Sequence, residues 1–275
     1  MPGARPSSFV LTQSGALRLY STQELLNMQP PEWLVDNIIP TATDGSFTVV
    51  YGPSGVGKSF FVQDIALSVA TGCDWQRRAT QPGLVAYVSA EGRAGMGKRV
   101  NAWRVSKGLD VEDINVAWLL EPLSVYYDSE HVDMLLERFD ELHDVPRLVV
   151  LDTLARCFEG DENETEDMSN FVKGVDRIRM ETGAAVIAIH HTNSSESRER
   201  GNGALRAATD TMIKLSPGIP GQSLSPAASQ GLFTVSCAKQ KEAAPFPLGV
   251  GQLMDVPSAD SVTCRVDWLR SGEEL

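Results

Sequence analysis

The stretch GPSGVGKS at residues 52–59 constrains this chain more than any other, because its spacing is that of a phosphate-binding loop, or P-loop. The β-branched and aromatic run 48–51 leads into it, and the apolar run 60–67 that follows has helical character. In a strand, turn and helix of this kind, backbone N–H groups converge on a polyphosphate, and the helix N-terminus adds positive potential. We therefore predict a nucleoside triphosphate site. Its predicted binding residues are Gly52, Pro53, Ser54, Gly55, Val56, Gly57, Lys58, Ser59 and Phe60.

Residues in this loop and at the end of a later strand are predicted to neutralise the charge of the phosphates, directly or through Mg²⁺. Lys58 should reach the β- and γ-phosphates, and the Ser59 hydroxyl should ligate Mg²⁺. Asp152 follows the apolar run 148–151, which is typical of an acid at the carboxyl end of a buried strand. Beside a P-loop, such an acid holds Mg²⁺ directly or through water. The predicted cofactors are ATP and Mg²⁺.

Composition narrows the class of protein. The chain has 275 residues, which suits one large α/β domain with a substantial core. Its net charge is −12, from 36 acidic and 24 basic residues, which argues against a protein coated in nucleic acid but allows a local basic channel. The four cysteines are scattered without a CxxC pair, so neither zinc nor disulfides are indicated. Without an apolar run near ~18 residues or a signal pattern, we expect a cytoplasmic protein with no membrane contact.

The order of predicted elements indicates a RecA-like α/β organisation. Residues 1–29 form a lead-in segment, and residues 30–275 form one ATPase domain. Apolar strands without alternation, interleaved with helices, favour a mostly parallel sheet covered on both faces. From about Met212 the strands become shorter, and we expect antiparallel edge strands there. The predicted strands lie near residues 84–88, 116–120, 148–152, 185–189, 233–235 and 262–266, and the predicted helices near 96–107, 130–143 and 168–182.

Two further groups are candidates for chemistry at the γ-phosphate. Glu91 closely follows a predicted strand, and ligands of open α/β sheets sit beyond the carboxyl ends of strands. It is a candidate to polarise the attacking water, or else an acid that stabilises a helix start. His190 also follows a buried strand and is the candidate γ-phosphate sensor, the alternative being a histidine that caps backbone groups. The role of His191 stays open.

Several cations near the C-terminal half could contact phosphates. Arg198 and Arg200 lie in a polar stretch, residues 192–203, that is either a DNA-contacting loop or a solvated one. Arg206 could act on the γ-phosphate of a neighbouring subunit, since a cation supplied in trans stabilises transition-state charge. Two lysines of a later strand, Lys239 and Lys241, alternate as Lys–Gln–Lys, share one face and could do the same. For each of them the alternative is a plain surface cation.

The ordered set of motifs resembles the RecA-like P-loop ATPase core, and most of all the RepA-type hexameric replicative DNA helicase family of plasmids and phages. The resemblance spans roughly residues 30 to 250. The phrases that carry it, besides the P-loop, are Leu151–Arg156, Glu159–Asn163, Ile189–His191, Ala238–Lys239 and Ala244–Phe246. It implies a ring-shaped homo-oligomer, a hexamer, with ATP at the subunit interfaces.

The resemblance also implies roles for individual residues. Glu91 would be the general base, His190 the sensor, and Arg206 or Lys241 the trans-acting cation. The loops around 192–203 and 216–230 would line a channel for single-stranded DNA. The second loop departs from this expectation because it contains no basic residue between Pro217 and Ser229. No primase, zinc or winged-helix module is recognisable, so priming and loading would need separate primase or initiator proteins.

Three functions are considered for a P-loop core with these residues. The first is a motor that couples ATP hydrolysis to translocation on single-stranded DNA and unwinding. The second is an ATP-dependent recombination or strand-annealing protein of the RecA-like class, which uses the same core as a filament switch. A small-molecule P-loop kinase fits poorly, because Glu91 one strand away suits the activation of water better than that of an acceptor.

Overall fold

The computed structural model describes residues 20–28, 30, 32–41, 44–90, 93–192, 203–219, 221–222, 230–245, 249–258 and 261–269. The chain divides into two compact units, Met1–Pro31 and Glu32–Leu275. The helices are α1 Thr22–Leu26, α2 Lys58–Thr71, α3 Arg93–Lys107, α4 Glu130–Asp140, α5 Thr165–Thr182 and α6 Gly203–Ala208. The strands are β1 Glu32–Val35, β2 Ile39–Thr41, β3 Ser46–Pro53, β4 Val85–Ser89, β5 Val116–Leu119, β6 Leu148–Asp152, β7 Ala185–Thr192, β8 Thr211–Pro217, β9 Leu232–Gln240, β10 Gly249–Ser258 and β11 Ser261–Leu269.

The first unit contributes helix α1 to the described residues. Ser21 caps this helix: its hydroxyl accepts the Glu24 N–H at 3.2 Å, and the Glu24 carboxylate accepts the Ser21 N–H at 2.8 Å. This reciprocal pair satisfies two backbone donors that a helix start otherwise leaves open. Among the described helices, none combines the length and the apolar character that crossing a membrane requires.

The second unit is built around a nine-stranded sheet in the order β11-β10-β9-β8-β3-β7-β6-β4-β5. Strands β5, β4, β6, β7, β3 and β8 run parallel to their neighbours, and β9, β10 and β11 join them antiparallel. The predicted mostly parallel sheet with antiparallel strands at the C-terminal end is confirmed. Strand β8 joins the two parts, since it pairs parallel with β3, Thr211 opposite Thr48, and antiparallel with β9. The expectation of shorter strands at this end is wrong, because β9, β10 and β11 are 9, 10 and 9 residues long.

Helices cover both faces of the parallel strands, as the uninterrupted apolar strands predict. On one face, α2 and the start of α3 pack on the sheet through side chains such as Phe61, Ile65 and Met96. On the other face, α4 and α5 pack through residues such as Leu135 and Phe171. Successive residues of a strand point to opposite faces of the sheet and so enter different cores. Whether a residue near the end of a strand faces α2 or faces α4 and α5 therefore depends on its odd or even position along that strand.

Parallel register brings the carboxyl ends of four strands to one edge of the sheet. Ser89 at the end of β4 lies opposite Asp152 at the end of β6, and Gly52 of β3 lies opposite His191 of β7. The Ala90 N–H also donates to the Asp152 carbonyl at 3.1 Å. Residues distant in sequence thus meet at the edge where the P-loop begins.

The antiparallel strands at the C-terminal end pack against the P-loop helix. Phe233 of β9 is fully buried, and the ring of Trp268 in β11 lies 5.8 Å from that of Phe61 in α2. A Cβ atom placed on Gly57 would lie 3.5 Å from Leu253 of β10 and 3.6 Å from Phe233. The C-terminal strands therefore contact the glycine that precedes Lys58.

Candidate active site

The P-loop is shaped by its glycines and by the strand that runs beside it. A side chain at Gly52 would collide with the Leu215 carbonyl of β8, so only glycine allows the two backbones to approach this closely. Gly57 has φ +103° and is the N-cap of α2, which begins at Lys58. Because the first amides of a helix have no intrahelical acceptor, they face the loop and form an anion site with it. Ser54 and Gly55, at the tip of the loop, are exposed.

The Lys58 ammonium is held on the axis of this loop. Only 4% of the residue is exposed, and its amino group donates to the carbonyls of Gly52 at 2.8 Å and Pro53 at 2.7 Å. Its third contact is Nδ1 of His191, at 3.0 Å. Burial lowers the pKa of Lys58 to about 8, and the nearby Asp152 carboxylate opposes this shift. The group is thus a rigid cation whose charge depends on pH near neutrality.

Asp152 links the P-loop helix to strand β4. Its Oδ1 accepts the Ser59 hydroxyl at 3.0 Å, and its Oδ2 accepts the Tyr87 hydroxyl at 2.9 Å. Tyr87 is fully buried, and its pKa is raised well above 10 by burial and by the Asp152 charge, so it stays a hydrogen-bond donor. The two contacts hold both carboxylate oxygens and leave Asp152 no rotational freedom.

The chemistry of this pair fits Mg²⁺. The ion prefers oxygen ligands and is usually bound by one or two protein groups together with phosphates and water. Ser59 and Asp152 supply one hydroxyl and one carboxylate oxygen within 3.0 Å of each other. Among the described residues, no group of three or more His, Cys, Asp or Glu side chains could hold a metal ion. A metal ion at Ser59 and Asp152 would therefore take its other ligands from phosphate and water.

The two histidines of β7 lie on opposite faces of the sheet. His190 is 1% exposed and its neighbours Val186 and Ala188 belong to the core beneath α4 and α5. His191 points to the α2 face, where it contacts Lys58. The structure therefore places His191, rather than the predicted sensor His190, beside Lys58, the predicted phosphate-binding lysine.

The candidate trans cations lie at the other edge of the sheet. Lys241 bonds Asp210 at 2.9 Å, and Asp210 accepts the N–H of Phe47 at the start of β3. Lys239 donates to the carbonyls of Arg206 at 2.5 Å and Thr209 at 2.6 Å. Arg206 is exposed and donates to the Ala238 carbonyl at 3.3 Å.

Strand geometry gives the scale of this separation. Phe47 and Gly52 are five residues apart in β3, or roughly 16 Å at ~3.3 Å per residue. The three cations are consequently remote from the chain's own Lys58. Lys239 and Lys241 both have contacts within the chain.

Five of the predicted features lie wholly or mostly outside the described residues. Three are single residues, Glu91, Arg198 and Arg200. The other two are the loop 192–203, of which 192 and 203 are described, and the loop 216–230, of which 216–219, 221–222 and 230 are described. For Glu91 the flanking elements are known: β4 ends at Ser89 and α3 begins at Arg93. Its roles as base or helix-start acid, and the DNA contacts of the two arginines, stay predictions.

Sequence reasoning missed Tyr87 and left His191 undecided. Both lie on the α2 face together with Asp152, since Tyr87, Ser89, Val150 and Asp152 share strand parity across the β4–β6 register. Period-two alternation counted back from Ser89, the last residue of β4, leads to Tyr87, but only the β4–β6 register places Ser89 opposite Asp152. For His191 the sequence holds no comparable signal, because two successive histidines end the strand and nothing local shows which one faces α2.

The fold and the site together define a P-loop ATPase with a RecA-like core. A family model described as an AAA domain matches residues 21–197. That match is 177 of the 275 residues, and the chain therefore belongs to this AAA domain family.

Solved structures share the fold at low sequence identity. A chain described as the ATPase domain of G40P is 16% identical, with a TM-score of 0.54, covering 77% of this chain and 82% of that one. The RadB recombinase is also 16% identical, with a TM-score of 0.54, covering 78% and 89%. A DnaB-like replicative helicase, solved with its interactions with primase, is 14% identical, with a TM-score of 0.55, covering 84% of this chain and 64% of that one. The predicted RecA-like P-loop ATPase fold is confirmed.

Proposed function

We propose that this chain is an ATP-driven motor on single-stranded DNA that assembles into a ring, and that it acts as a replicative DNA helicase. The observation that carries this proposal is the placement of charge. The chain's phosphate-binding cluster lies at one edge of the sheet, while Arg206, Lys239 and Lys241 lie at the other edge. We infer that these cations, which lie away from the chain's own Lys58, act on the phosphate site of a neighbouring copy.

Hydrolysis at this site needs charge neutralisation and an activated water. Lys58 would neutralise the γ-phosphate, and Ser59 and Asp152 would hold Mg²⁺, which contributes further positive charge when bound. Glu91, between β4 and α3, would accept a proton from the attacking water. His191 contacts Lys58 and is better placed than His190 to be the sensor. A γ-phosphate that displaced this contact would move the His191 side chain, and with it the end of β7.

The cation supplied in trans would stabilise the transition state. Arg206 is the strongest of the three candidates, because it is exposed and a guanidinium matches phosphate oxygens with several donors. Lys239 instead donates hydrogen bonds to three carbonyls at the end of α6, and Lys241 forms an ion pair with Asp210. In this arrangement Lys239 supports α6 and thereby orients Arg206.

The inference about DNA and protein partners is supported by similarity to solved structures. The G40P ATPase domain and the DnaB-like helicase share the fold, and the latter is described with primase. We infer a homo-oligomer, a hexamer, with single-stranded DNA in its channel and a separate primase or initiator as a partner. Arg198 and Arg200 would contact the DNA, and the net charge of the chain, −12, would limit binding elsewhere.

A second function is favoured by one specific observation. The RadB recombinase matches this chain as well as the G40P domain does. An ATP-dependent recombination or strand-annealing protein would use the same residues, with an open filament in place of a closed ring.

One set of measurements separates these outcomes. ATPase turnover is measured with and without single-stranded DNA, alongside the mass of the assembly with a non-hydrolysable ATP analogue. Stimulation by DNA, a sixfold mass and displacement of a paired strand support the helicase. Filaments that anneal strands without unwinding support the second function. Full turnover by an isolated monomer, indifferent to DNA, would exclude both.

Subunit mixing tests the shared site. Arg206→Ala protein and Glu91→Gln protein should each be inactive, and their mixture should regain part of the activity, because some interfaces combine two intact halves. Arg138→Ala provides the matched control, since Arg138 is an exposed arginine that pairs with the nearby Glu141. Its mixture with Glu91→Gln should show activity in proportion to the Arg138→Ala subunits. Absence of rescue with Arg206→Ala would count against a trans role.

A further inference from the structure

Helix α3 carries an arginine whose side chain runs toward the active-site edge of the sheet. Arg99 is partly buried and lies six residues after the first residue of α3. A Cβ atom placed on Gly95, one turn earlier, would lie 3.9 Å from Arg99 Nε, so the side chain is directed back toward the helix start. That end of α3 follows β4, whose last residue, Ser89, lies opposite Asp152.

The Arg99 guanidinium lies over the ring of a residue of the P-loop helix, 4.6 Å from the centre of the Phe60 ring. Phe60 directly follows Ser59, and its N–H belongs to the first turn of α2, where amides have no intrahelical acceptor. An aromatic face attracts a cation without using its N–H groups. Among the described residues, no carboxylate forms an ion pair with Arg99. The contact therefore holds a cation beside the predicted phosphate site and leaves its charge uncompensated there.

The charge of Arg99 acts on the hydrogen-bonded chain that ends at the P-loop. Burial and the Asp152 charge raise the pKa of Tyr87, and the Arg99 charge opposes them. The Tyr87 hydroxyl donates to Asp152 at 2.9 Å, and Asp152 accepts the Ser59 hydroxyl at 3.0 Å. A metal ion held by such a pair bridges the β- and γ-phosphates. Arg99 thus lies on the γ-phosphate side of the predicted site.

Strand order places Arg99 and Lys58 on either side of Asp152. Lys58 contacts His191 of β7, whereas Arg99 acts on Tyr87 of β4. Strand β6, which carries Asp152, lies between β7 and β4. Two cations of one chain therefore flank the acid that is predicted to hold Mg²⁺.

Helix α3 is fixed against α2 on both sides of Arg99. Three residues before it, Met96 accepts the Gln63 amide at 3.1 Å. Four residues after it, the indole N–H of Trp103 donates to Oδ1 of Asp64 at 2.7 Å. All four of these partners are buried, so breaking either contact would leave a buried polar group unpaired. The position of Arg99 over α2 is consequently well determined.

The Asp64 anchor is shared by three tryptophans. Besides Trp103, its carboxylate accepts at Oδ2 the indole N–H groups of Trp75 at 2.9 Å and Trp268 at 3.1 Å. Trp75 lies shortly after α2, and Trp268 lies in β11. Bonds to an ionised acceptor are shorter and stronger than neutral ones. One carboxylate in α2 thus secures α3 together with the C-terminal strand.

We propose that Arg99 is a catalytic residue that acts in cis: its guanidinium binds an oxygen of the γ-phosphate of ATP held by the P-loop of the same chain. This inference rests on the proposed function, in which the site hydrolyses ATP. A guanidinium stays charged and presents several N–H groups to phosphate oxygens. During hydrolysis the water oxygen bonds to the γ-phosphorus, the bond to the β-phosphate oxygen breaks, and the water proton leaves to the base. Arg99 keeps its own protons and stabilises the charge on the transferred group.

The test compares three variants of α3. Arg99→Met removes the charge but keeps a side chain over Phe60, Arg99→Lys keeps the charge without the planar fork, and Lys98→Met removes an exposed cation from the adjacent position. For Arg99→Met we expect single-turnover hydrolysis to slow at least tenfold and the Kd for a non-hydrolysable ATP analogue to rise about tenfold. The Kd for ADP, which has no γ-phosphate, should stay within twofold. Arg99→Lys should lie between Arg99→Met and the wild type, and Lys98→Met should match the wild type.

Three results would overturn the inference. One is a normal rate and a normal analogue affinity in Arg99→Met. Another is an equal loss of affinity for the analogue and for ADP, which would show an effect on the P-loop as a whole. The third is an equal loss in Lys98→Met, which would show a general effect of charge on α3.

Subunit mixing tests the cis assignment and separates it from the proposed function. Arg99→Met mixed with Lys58→Ala should regain no activity, because both defects lie in one chain's half of the site, and rescue would overturn the assignment. Arg99→Met mixed with Arg206→Ala should regain part of the activity, and absence of rescue there would count against the trans role of Arg206. If the wild type does not hydrolyse ATP, the proposed function fails. The difference between analogue and ADP affinities then still supports or overturns the contact of Arg99 with the γ-phosphate.

Discussion

The burial of Lys58 predicts that nucleotide affinity depends on pH between pH 7 and pH 9. Burial lowers the pKa of this ammonium to about 8 in the free protein. Bound phosphate favours the charged form and raises the pKa again. Binding above pH 8 is consequently coupled to the uptake of one proton, so affinity is complete below the lowered pKa and is lost as pH rises through it.

The magnitude follows from the fraction of protonated Lys58. With a pKa of about 8, roughly nine-tenths of the protein carries the ammonium at pH 7 and roughly one-tenth at pH 9. If only this form binds, the Kd for ATP rises about tenfold over these two pH units, which is about 1.4 kcal/mol. The pKa of Tyr87 is raised well above 10 and that of Cys157 to about 12, both by burial, so neither titrates in this range.

The assay is a fluorescence titration with an ATP analogue at fixed Mg²⁺ and ionic strength, at pH values from 7 to 9. Lys58→Arg should bind more weakly but lose the slope, because a guanidinium stays charged throughout. His191→Gln should keep the slope, because the titrating group is the lysine that His191 contacts. A flat affinity in the wild type, or a slope that persists in Lys58→Arg, would refute the reasoning.

The remaining predictions concern the neighbours of this lysine and the core beneath it. Tyr87→Phe removes the 2.9 Å bond that orients Asp152, and should raise the half-saturating Mg²⁺ concentration in the ATPase assay about tenfold; an unchanged value would contradict the orienting role. Glu91→Gln should retain ATP binding but slow single-turnover hydrolysis at least tenfold, and a normal rate would make Glu91 a helix-start acid. His191→Ala should lower kcat at least tenfold, measured against ATP binding, whereas a normal kcat would return the sensor role to the buried neighbouring histidine. Phe233→Ala, at a fully buried position, should cost about 3–5 kcal/mol in urea unfolding, and a loss below about 1 kcal/mol would mean that β9 contributes little to the core.

Local signals in the sequence were sufficient for the nucleotide site. The strand β3, the glycine-rich turn and the helix α2 are consecutive, so their geometry depends on neighbouring residues and on glycines that accept unusual dihedrals. Asp152 was predictable for a related reason, since a run of apolar residues that ends in an acid marks the carboxyl end of a buried parallel strand. The alternation of apolar strands and helices likewise predicted the mostly parallel sheet.

Tertiary structure alone decided which side of the sheet each strand-end residue faces. His190 and His191 are equivalent as sequence, yet one enters the core beneath α5 and the other contacts Lys58. The face that α2 covers depends on how the chain crosses over the sheet. The sequence of β7 does not show which of its two faces this is. The same limit applies to β8, whose parallel direction depends on pairing with β3, more than 150 positions earlier in the chain.

The cluster at Asp64 shows the physical reason most plainly. In the sequence, an acid within an apolar helix and three scattered tryptophans have no visible relation. In the folded chain, one indole comes from 204 residues away to share the carboxylate. A buried charge is tolerated only where donors converge on it, and such convergence is a property of the assembled core rather than of any local stretch.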